Sequence, residues 1–176
     1  PLGMEHTSIG ADYRDNPWVR EQREKLRCYM FSPMNGSVTD LGSCLSFIMP
    51  YPAGAVTGTL GDMMLYGQAL VDDDAPLFLH KETQEELFTG TAYWGTSDIP
   101  SCCHGFWAEE HGVRTYGHSG ATNAGQANLI FNPVSKVGLA VMVNEPTGNA
   151  FLYSTPPLVF GSLKPENISA ETARQI

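Results

Sequence analysis

The clearest hydrophobic pattern in the first half of the chain begins after Thr59. Apolar residues recur three and four positions apart from Leu60 to Val71, and Thr59-x-x-Asp62 is typical of a capping box. This spacing predicts a helix of roughly twelve residues. A second, shorter helix is predicted from His80 to Phe88, with its charged side chains facing solvent.

Residues 11–50 show no sustained periodicity and are predicted to be irregular. Asp15-Asn16-Pro17 is expected to interrupt regular structure, and the charged run 20–27 to form a short piece of helix. Residues 32–42 are rich in turn formers. We therefore expect little regular structure before Tyr51.

The last third of the chain has the alternation and turn signals of β-hairpins. His111-Gly112 and the segment 133–136 are the predicted turns. The strands predicted around them are 106–110, 113–116, 127–132 and 137–144. After Pro146 the pattern fades. Helices followed by antiparallel hairpins predict an α+β fold with a sheet flanked by helices.

A polar, glycine-flanked segment lies between the two predicted hairpins, in the stretch 114–125. It contains His118-Ser119-Gly120 and is interpreted as a small turn held between strands. Histidine can change its charge near neutral pH, and glycine lets backbone approach a ligand closely. The segment is a candidate site, and the alternative is a surface turn that happens to contain a histidine.

Composition narrows the classes of function. The chain has 176 residues, 42% of them hydrophobic, and a formal net charge of −9. This charge balance argues against nucleic acid or an anionic membrane surface as the partner. No apolar stretch reaches the length of a membrane span.

The cysteines leave two interpretations open. Cys102 and Cys103, with His104 and His111, could bind zinc, because thiolate and imidazole suit that metal. Their segment alternates as a strand would, however, and sends successive side chains to opposite faces. Ordinary thiols are favoured, and neither a metal site nor a cofactor is predicted.

Gly117-His118-Ser119-Gly120-Ala121 approaches the nucleophile elbow G-x-S-x-G, with alanine in the last place. An elbow needs a helix after the serine and a histidine later in the chain. No helix start is evident after Ala121, and no histidine follows His118. The elbow interpretation is therefore disfavoured.

Several motifs in order resemble the C-terminal portion of the serine β-lactamase and penicillin-binding protein superfamily, in its class C-like branch of esterases and D-amino-acid peptidases. They are Pro1-Leu-Gly-Met4 with Thr7, Tyr51-Pro-Ala-Gly54 with Thr59 and Asp62, Gly105-Phe-Trp107, His118-Ser119-Gly120 and Phe131-Asn-Pro133. His118-Ser119-Gly120 is similar to the third active-site motif, K-T-G in β-lactamases and H-x-G in many esterase-like members. The resemblance covers roughly residues 1–145.

The resemblance implies an αβα sandwich and a serine nucleophile in a Ser-x-x-Lys motif, assisted by a Tyr-x-Asn motif. Neither motif occurs in the chain, since Tyr13-Arg-Asp-Asn16 is one residue too long. In family order both precede the Pro1-Leu-Gly-Met4 segment. We therefore expect residues 1–150 to be the C-terminal portion of a β-lactamase-like domain and 151–176 an extension or linker.

For the site, the resemblance implies catalytic roles for His118 and Ala121. His118 would favour an anionic substrate group or hold the catalytic tyrosine in its protonation state, and the Ala121 backbone N–H would be one oxyanion-hole donor. Ser119 and Gly120 would bind substrate. A turn hydroxyl that bonds its own backbone is the alternative for Ser119.

The expected activity of the complete protein is hydrolysis through an acyl-enzyme on a β-lactam, a D-amino-acid peptide or an ester. The expected partners are such a substrate and the N-terminal half of the same domain. The family implies a periplasmic, secreted or cell-envelope location. The alternative is a non-catalytic β-lactamase-like binding or sensor module that has lost the nucleophile.

Overall fold

Short helices alternate with antiparallel strands along the chain. The computed structural model describes residues 2–10, 12–43, 51–74, 77–122, 125–145 and 149–163. The helices are α1 Pro17–Lys25, α2 Tyr51–Gly54, α3 Leu60–Val71, α4 Lys81–Leu87, α5 Asn149–Ser154 and α6 Pro156–Phe160. The strands are β1 Arg27–Phe31, β2 Val38–Ser43, β3 Ala92–Tyr93, β4 Pro100–Cys103, β5 Phe106–Glu110, β6 Arg114–Thr122, β7 Gly125–Asn132 and β8 Val137–Val143. The α+β class predicted from the sequence is confirmed.

The main sheet has six strands in the order β3-β4-β5-β6-β7-β8, so every strand pairs with its neighbours in sequence. All five pairings are antiparallel. The turns at His111-Gly112 and 133–136 join β5 to β6 and β7 to β8, as the sequence predicts. The short strand β3 is the element of this sheet that the alternation does not indicate.

The predicted helix after Thr59 is confirmed as α3, and it packs against β7 and β8. Its buried residues Leu70 and Val71 form the core with Leu129 and Phe131. A side-chain carbon at Gly67 would lie 3.1 Å from Cδ1 of Leu129. The small residue therefore lets the helix approach the sheet closely.

Side chains from two other elements satisfy the carbonyl groups at the end of α3. Lys136 Nζ donates to the Val71 carbonyl and to the Asp73 carboxylate. Gln84 Nε2 donates to the carbonyls of Leu70 and Asp72, each at 2.9 Å. Unpaired carbonyls at a buried helix end are costly, so these bonds help fix α4 and the β7–β8 turn against α3. Gln84 lies in α4, which confirms the second predicted helix.

The prediction of little regular structure in residues 11–50 is wrong for the described part of that segment. The Asp15-Asn16-Pro17 sequence begins a helix instead of interrupting one. Asn16 caps α1 with a side chain that accepts from the Val19 N–H, and Pro17 occupies the first turn, where its missing N–H is not needed.

Strands β1 and β2 form a separate antiparallel hairpin, which the sequence analysis missed. Four of the six residues of β2 are polar or small, and five of the six are exposed, so no clear alternation marks the strand. Cys28 of β1 is disulfide-bonded. Asn144, after β8, accepts from the Tyr29 N–H at 3.2 Å and donates to the Arg27 carbonyl at 2.9 Å. These bonds connect the hairpin to the end of the main sheet.

The C-terminal helices α5 and α6 also contact the sheet region. Leu152 and Phe160 are buried, and α5 contacts β7. The Phe160 ring stacks on His111, and the Gly112 N–H donates to the Gly161 carbonyl at 2.9 Å. The division of the chain at residue 150 stays a prediction, and residues 164–176 of the predicted extension lie outside the described residues. No helix in the described part of the chain is long and apolar enough to cross a bilayer.

Candidate active site

Strand β6 carries His118-Ser119-Gly120 and continues to Thr122, so the interpretation of this segment as a turn is wrong. Small polar residues favour turns, but here they pair with β7 in register from Tyr116↔Phe131 to Thr122↔Gly125. The hydrogen-bonded ladder overrides the local preference. Because Ser119 is followed by strand, the helix that a nucleophile elbow requires is absent there.

The two edges of β6 are paired differently along its length. β5 pairs with the first part of β6, and this pairing ends at Trp107↔Gly117. Among the described residues, no strand pairs with that edge from His118 to Thr122, although β7 continues along the other edge. The motif therefore lies where a strand offers unpaired backbone groups to a ligand.

A cavity of about 780 Å³ borders this end of β6. This volume is in the usual range for small-molecule sites. The lining residues come from four segments: Gly120–Thr122, Gly125–Ala127, Met142–Asn144 and the loop Ala53–Gly58, together with Tyr13, Arg23 and Leu26. Among the described residues that line the cavity, Arg23 carries the single charged side chain. Of the predicted site residues, Gly120 and Ala121 line the cavity, whereas His118 and Ser119 precede it on the strand.

Hydrogen bonds with the N-terminal segment hold the cavity loop in place. Ser8 and Thr57 exchange two backbone hydrogen bonds, at 2.8 and 2.9 Å. The buried Asp62 carboxylate of α3 accepts from the His6 N–H at 2.8 Å and from Thr7 Oγ1 at 2.7 Å. These contacts join residues 6–8 to Thr57 and Asp62, which are about 50 positions later in the sequence.

Asp15 fixes the same N-terminal segment from the other side. Its carboxylate accepts from Ser8 Oγ at 2.5 Å and from the N–H groups of Ile9 and Gly10, each at 3.1 Å. The Ser8 hydroxyl, and then these N–H groups, lower the pKa of Asp15 below its usual value, against the opposing effect of burial. The ionised carboxylate therefore stabilises the segment that supports the cavity loop.

His118 is exposed and contacts two neighbouring groups. Its Nδ1 lies 2.6 Å from the carbonyl oxygen of Ser119. Its ring is nearly parallel to the Trp107 indole, with ring centroids 6.1 Å apart and planes 29° apart. The histidine is therefore held by its surroundings without being buried in them.

The other predicted site residues differ in exposure. Ser119 is half-buried, whereas Gly120 and Ala121 are exposed. A side-chain carbon at Gly120 would meet no described atom within 4 Å. The Ala121 backbone pairs in register with Gln126 of β7. The geometry leaves their roles in substrate binding and oxyanion stabilisation as predictions.

Two ionisable groups near the first part of β6, Tyr116 of that strand and Cys103 of β4, lie in surroundings like those of the core. Tyr116 packs on Phe88 with ring centroids 5.0 Å apart, and burial, followed by the nearby Cys103 thiol, raises its pKa. Burial and the neighbouring Cys102 raise the pKa of Cys103. Both groups therefore stay neutral near pH 7 and act as packing residues.

Cys102 and Cys103 are free thiols on β4, with Cys103 buried and Cys102 half-buried. The nearby histidines contact carboxylates instead: His104 lies 3.4 Å from Glu86 and His111 lies 3.3 Å from Glu109. Within the described ranges, no group of three or more histidine, cysteine or acidic side chains is arranged to bind a metal ion.

Comparison with protein families identifies the fold. A family model described as Beta-lactamase matches residues 1–162. The chain belongs to the beta-lactamase family. The family supports an assignment to the superfamily of serine hydrolases and confirms the resemblance to the serine β-lactamase and penicillin-binding protein superfamily. The class C-like branch stays a prediction. Comparison with curated proteins finds no match.

Two features of the site were not evident from the sequence. The contact between Trp107 and His118 depends on the register of β5 against β6, although both residues lie in motifs that carry the family resemblance. Tyr13 is 4% exposed with a positive φ of 59°, and it lines the cavity from a segment expected to be irregular. No sequence signal places Tyr13 beside β6.

Proposed function

We propose that this chain is the C-terminal portion of a serine hydrolase that acts through an acyl-enzyme on a β-lactam, a D-amino-acid peptide or an ester. The observation that carries this proposal is the open edge of β6 from His118 to Thr122, beside a cavity of about 780 Å³. Membership of the beta-lactamase family supports the reaction class.

The open edge suggests how a substrate would bind. An extended acyl group or peptide can lie beside an unpaired strand and form backbone hydrogen bonds with it. In this proposal Gly120 keeps the approach clear and Ser119 donates to a substrate carbonyl or carboxylate. The Ala121 N–H points a donor at the oxygen that becomes negatively charged in the tetrahedral intermediate.

The nucleophilic serine and its general-base lysine would come from residues that precede Pro1, in the same chain or in a separate one. The 176 residues contain neither Ser-x-x-Lys nor Tyr-x-Asn. An acyl-enzyme needs a nucleophile activated by an adjacent base. We therefore assign this chain the wall of the site opposite the nucleophile.

The disulfide at Cys28 supports a location outside the reducing cytoplasm. Disulfides form and persist in oxidising compartments such as the periplasm, the secretory pathway and the cell surface. A cell-envelope or secreted hydrolase is consistent with this chemistry.

Covalent labelling tests whether the nucleophilic serine lies outside this chain. The chain alone should give no covalent adduct with a fluorescent penicillin or an activated fluorophosphonate, whereas the protein extended by its preceding residues should be labelled at a serine outside this chain. Labelling of the isolated chain at Ser119 would contradict the proposal. An extended protein that has no Ser-x-x-Lys and binds ligands without labelling would instead be the non-catalytic module.

The role of His118 is tested in the extended protein. His118→Ala should lower turnover on the order of a hundredfold or more, because it removes a proton-transfer or charge-stabilising group. The melting temperature should change little, since exposed positions usually contribute about 0.5 kcal/mol or less.

His80→Ala is a matched control, because His80 is exposed and makes no side-chain cap hydrogen bond. His80→Ala should leave both turnover and melting temperature unchanged. A large fall in melting temperature for His118→Ala, with normal turnover per folded molecule, would end the catalytic assignment.

A further inference from the structure

The contact between His118 and the Ser119 carbonyl determines which nitrogen carries the proton. A carbonyl oxygen can only accept a hydrogen bond, so the 2.6 Å contact requires a hydrogen on Nδ1. A neutral imidazole has one N–H, which leaves Nε2 as an acceptor. Within the part of the chain that the structure describes, Nε2 has no hydrogen-bond partner.

Trp107 holds the same imidazole from a second direction. It is the register partner of Gly117, the residue before His118. The centroid separation of 6.1 Å and the angle of 29° correspond to an offset stack. Two contacts in different directions, one polar and one through the ring face, limit rotation of the imidazole about its side-chain bonds.

The support for Trp107 is rigid although its own side chain is 49% exposed. β5 is paired on both sides, with Trp107 opposite Cys102 of β4 and Gly117 of β6. The adjacent, half-buried Phe106 packs against the core through an edge-to-face contact with Phe131, at a centroid distance of 5.4 Å. A large aromatic side chain kept at the surface on such a strand is not explained by core packing.

We propose that Trp107 is a positioning residue of this site. Its ring, together with the Ser119 carbonyl, holds neutral His118 in the Nδ1–H form and leaves Nε2 as a hydrogen-bond acceptor. The inference rests on the proposed function, because it concerns how the catalytic histidine is presented. It refines the expected role of His118: in its neutral form the histidine binds a donor, a hydroxyl or an ammonium group, and not a carboxylate.

The tautomer can be measured directly on this chain. The ring-nitrogen shifts of His118, in ¹⁵N-labelled protein at a pH where the ring is neutral, should show Nδ1 protonated and Nε2 unprotonated. His118→Gln identifies the signal. A wild-type chain whose His118 carries its proton mainly on Nε2 would overturn the proposal.

Substitutions at Trp107 test whether its aromatic ring, and not only its apolar volume, holds the His118 imidazole in place. Trp107→Phe keeps an aromatic ring and should preserve the Nδ1–H form, whereas Trp107→Leu keeps apolar bulk and should shift the ring to a mixture of tautomers. Trp94→Leu is the matched control, because Trp94 is 53% exposed and has no ring contact with His118 among the described residues. Equal tautomer ratios in wild type, Trp107→Phe and Trp107→Leu would show that Trp107 has no such role.

The same variants in the extended protein give a second measurement. Trp107→Leu should lower kcat at least tenfold with little change in KM, and Trp107→Phe should restore most of the loss. The tautomer measurement needs only the isolated chain, so it stands whether or not the extended protein forms an acyl-enzyme. A failure of the inference is thereby distinguishable from a failure of the proposed function.

Discussion

The two halves of β6 belong to one strand but have different surroundings. From Arg114 to Gly117 the strand pairs with β5, and Tyr116 and Gly117 pair with β7 as well. The residues of this half alternate between exposed or half-buried and buried, with Thr115 fully buried. From His118 to Thr122 its only partner strand in the described part of the chain is β7, and its side chains are exposed or half-buried. The half from Arg114 to Gly117 is a structural support. It positions the half from His118 to Thr122, whose backbone groups on one edge are open to a ligand.

The same strand can therefore be both rigid and accessible. β7 pairs with β6 continuously from Tyr116 to Thr122, so one partner strand spans the junction between the two halves and fixes the position of the open half. A site on a supported strand is held more precisely than a site on a loop. The following predictions test this difference between the halves, from the largest expected effect to the smallest.

Removing the core side chain beneath the first half should have the largest effect. Phe131 pairs with Tyr116, is fully buried, and contacts Phe88 and Phe106 through its ring. Phe131→Ala should lower the free energy of unfolding by about 3–5 kcal/mol, measured by urea denaturation, because it leaves a cavity.

Val134→Ala is the control for that variant, since Val134 is 88% exposed. It should change the free energy of unfolding by about 0.5 kcal/mol or less. A comparable small loss for Phe131→Ala would mean that the scaffold half does not depend on this core.

Two glycine substitutions compare the halves directly. A side-chain carbon at Gly117 would lie 2.3 Å from the Leu129 carbonyl oxygen, whereas one at Gly120 would meet no described atom within 4 Å. Gly117→Ala should cost about 1–3 kcal/mol of stability through overpacking. Gly120→Ala should leave stability within about 0.5 kcal/mol while weakening substrate binding in the extended protein.

Thermal denaturation of the two variants side by side measures the contrast. Equal losses at both positions would show that the open half of β6 is as tightly enclosed as the paired half, and the proposed substrate edge would then be wrong.

Lowering the pH should loosen the Ser8–Gly10 segment, which supports the loop beside the open half of β6, before it affects β7. Ser8 and neighbouring N–H groups hold the pKa of Asp15 below its ordinary value of 3.8. A carboxyl whose pKa is lower in the folded state adds stability above its unfolded pKa, and this is lost as pH falls through the lower folded pKa. Amide shifts of Ile9 and Gly10 should therefore change below about pH 4, while those of β7 remain native.

Asp15→Asn supplies the comparison for the acid effect. The variant should remove this pH dependence and show a loosened Ser8–Gly10 segment already at neutral pH. Simultaneous changes in β7 and in the Ser8–Gly10 segment would indicate one cooperative unit instead of a separately supported wall.

The sequence by itself predicted the helices and hairpins that depend on interactions between residues a few positions apart. Thr59 and the apolar spacing of Leu60 to Val71 predict α3, because capping and helical amphipathicity act within a few residues. The hairpins around His111-Gly112 and residues 133–136 follow from alternation and turn residues for the same reason. The ordered motifs also identified the family, which the match over residues 1–162 confirms.

Only the tertiary structure decided how the candidate site is arranged. Gly117 to Thr122 look like a turn by composition and form a strand because β7 pairs with them. The ending of β5 at Trp107↔Gly117 opens the edge and brings the indole to His118. Strand register and the joining of Ser8 to Thr57 depend on contacts between residues distant in sequence, which local propensity does not encode.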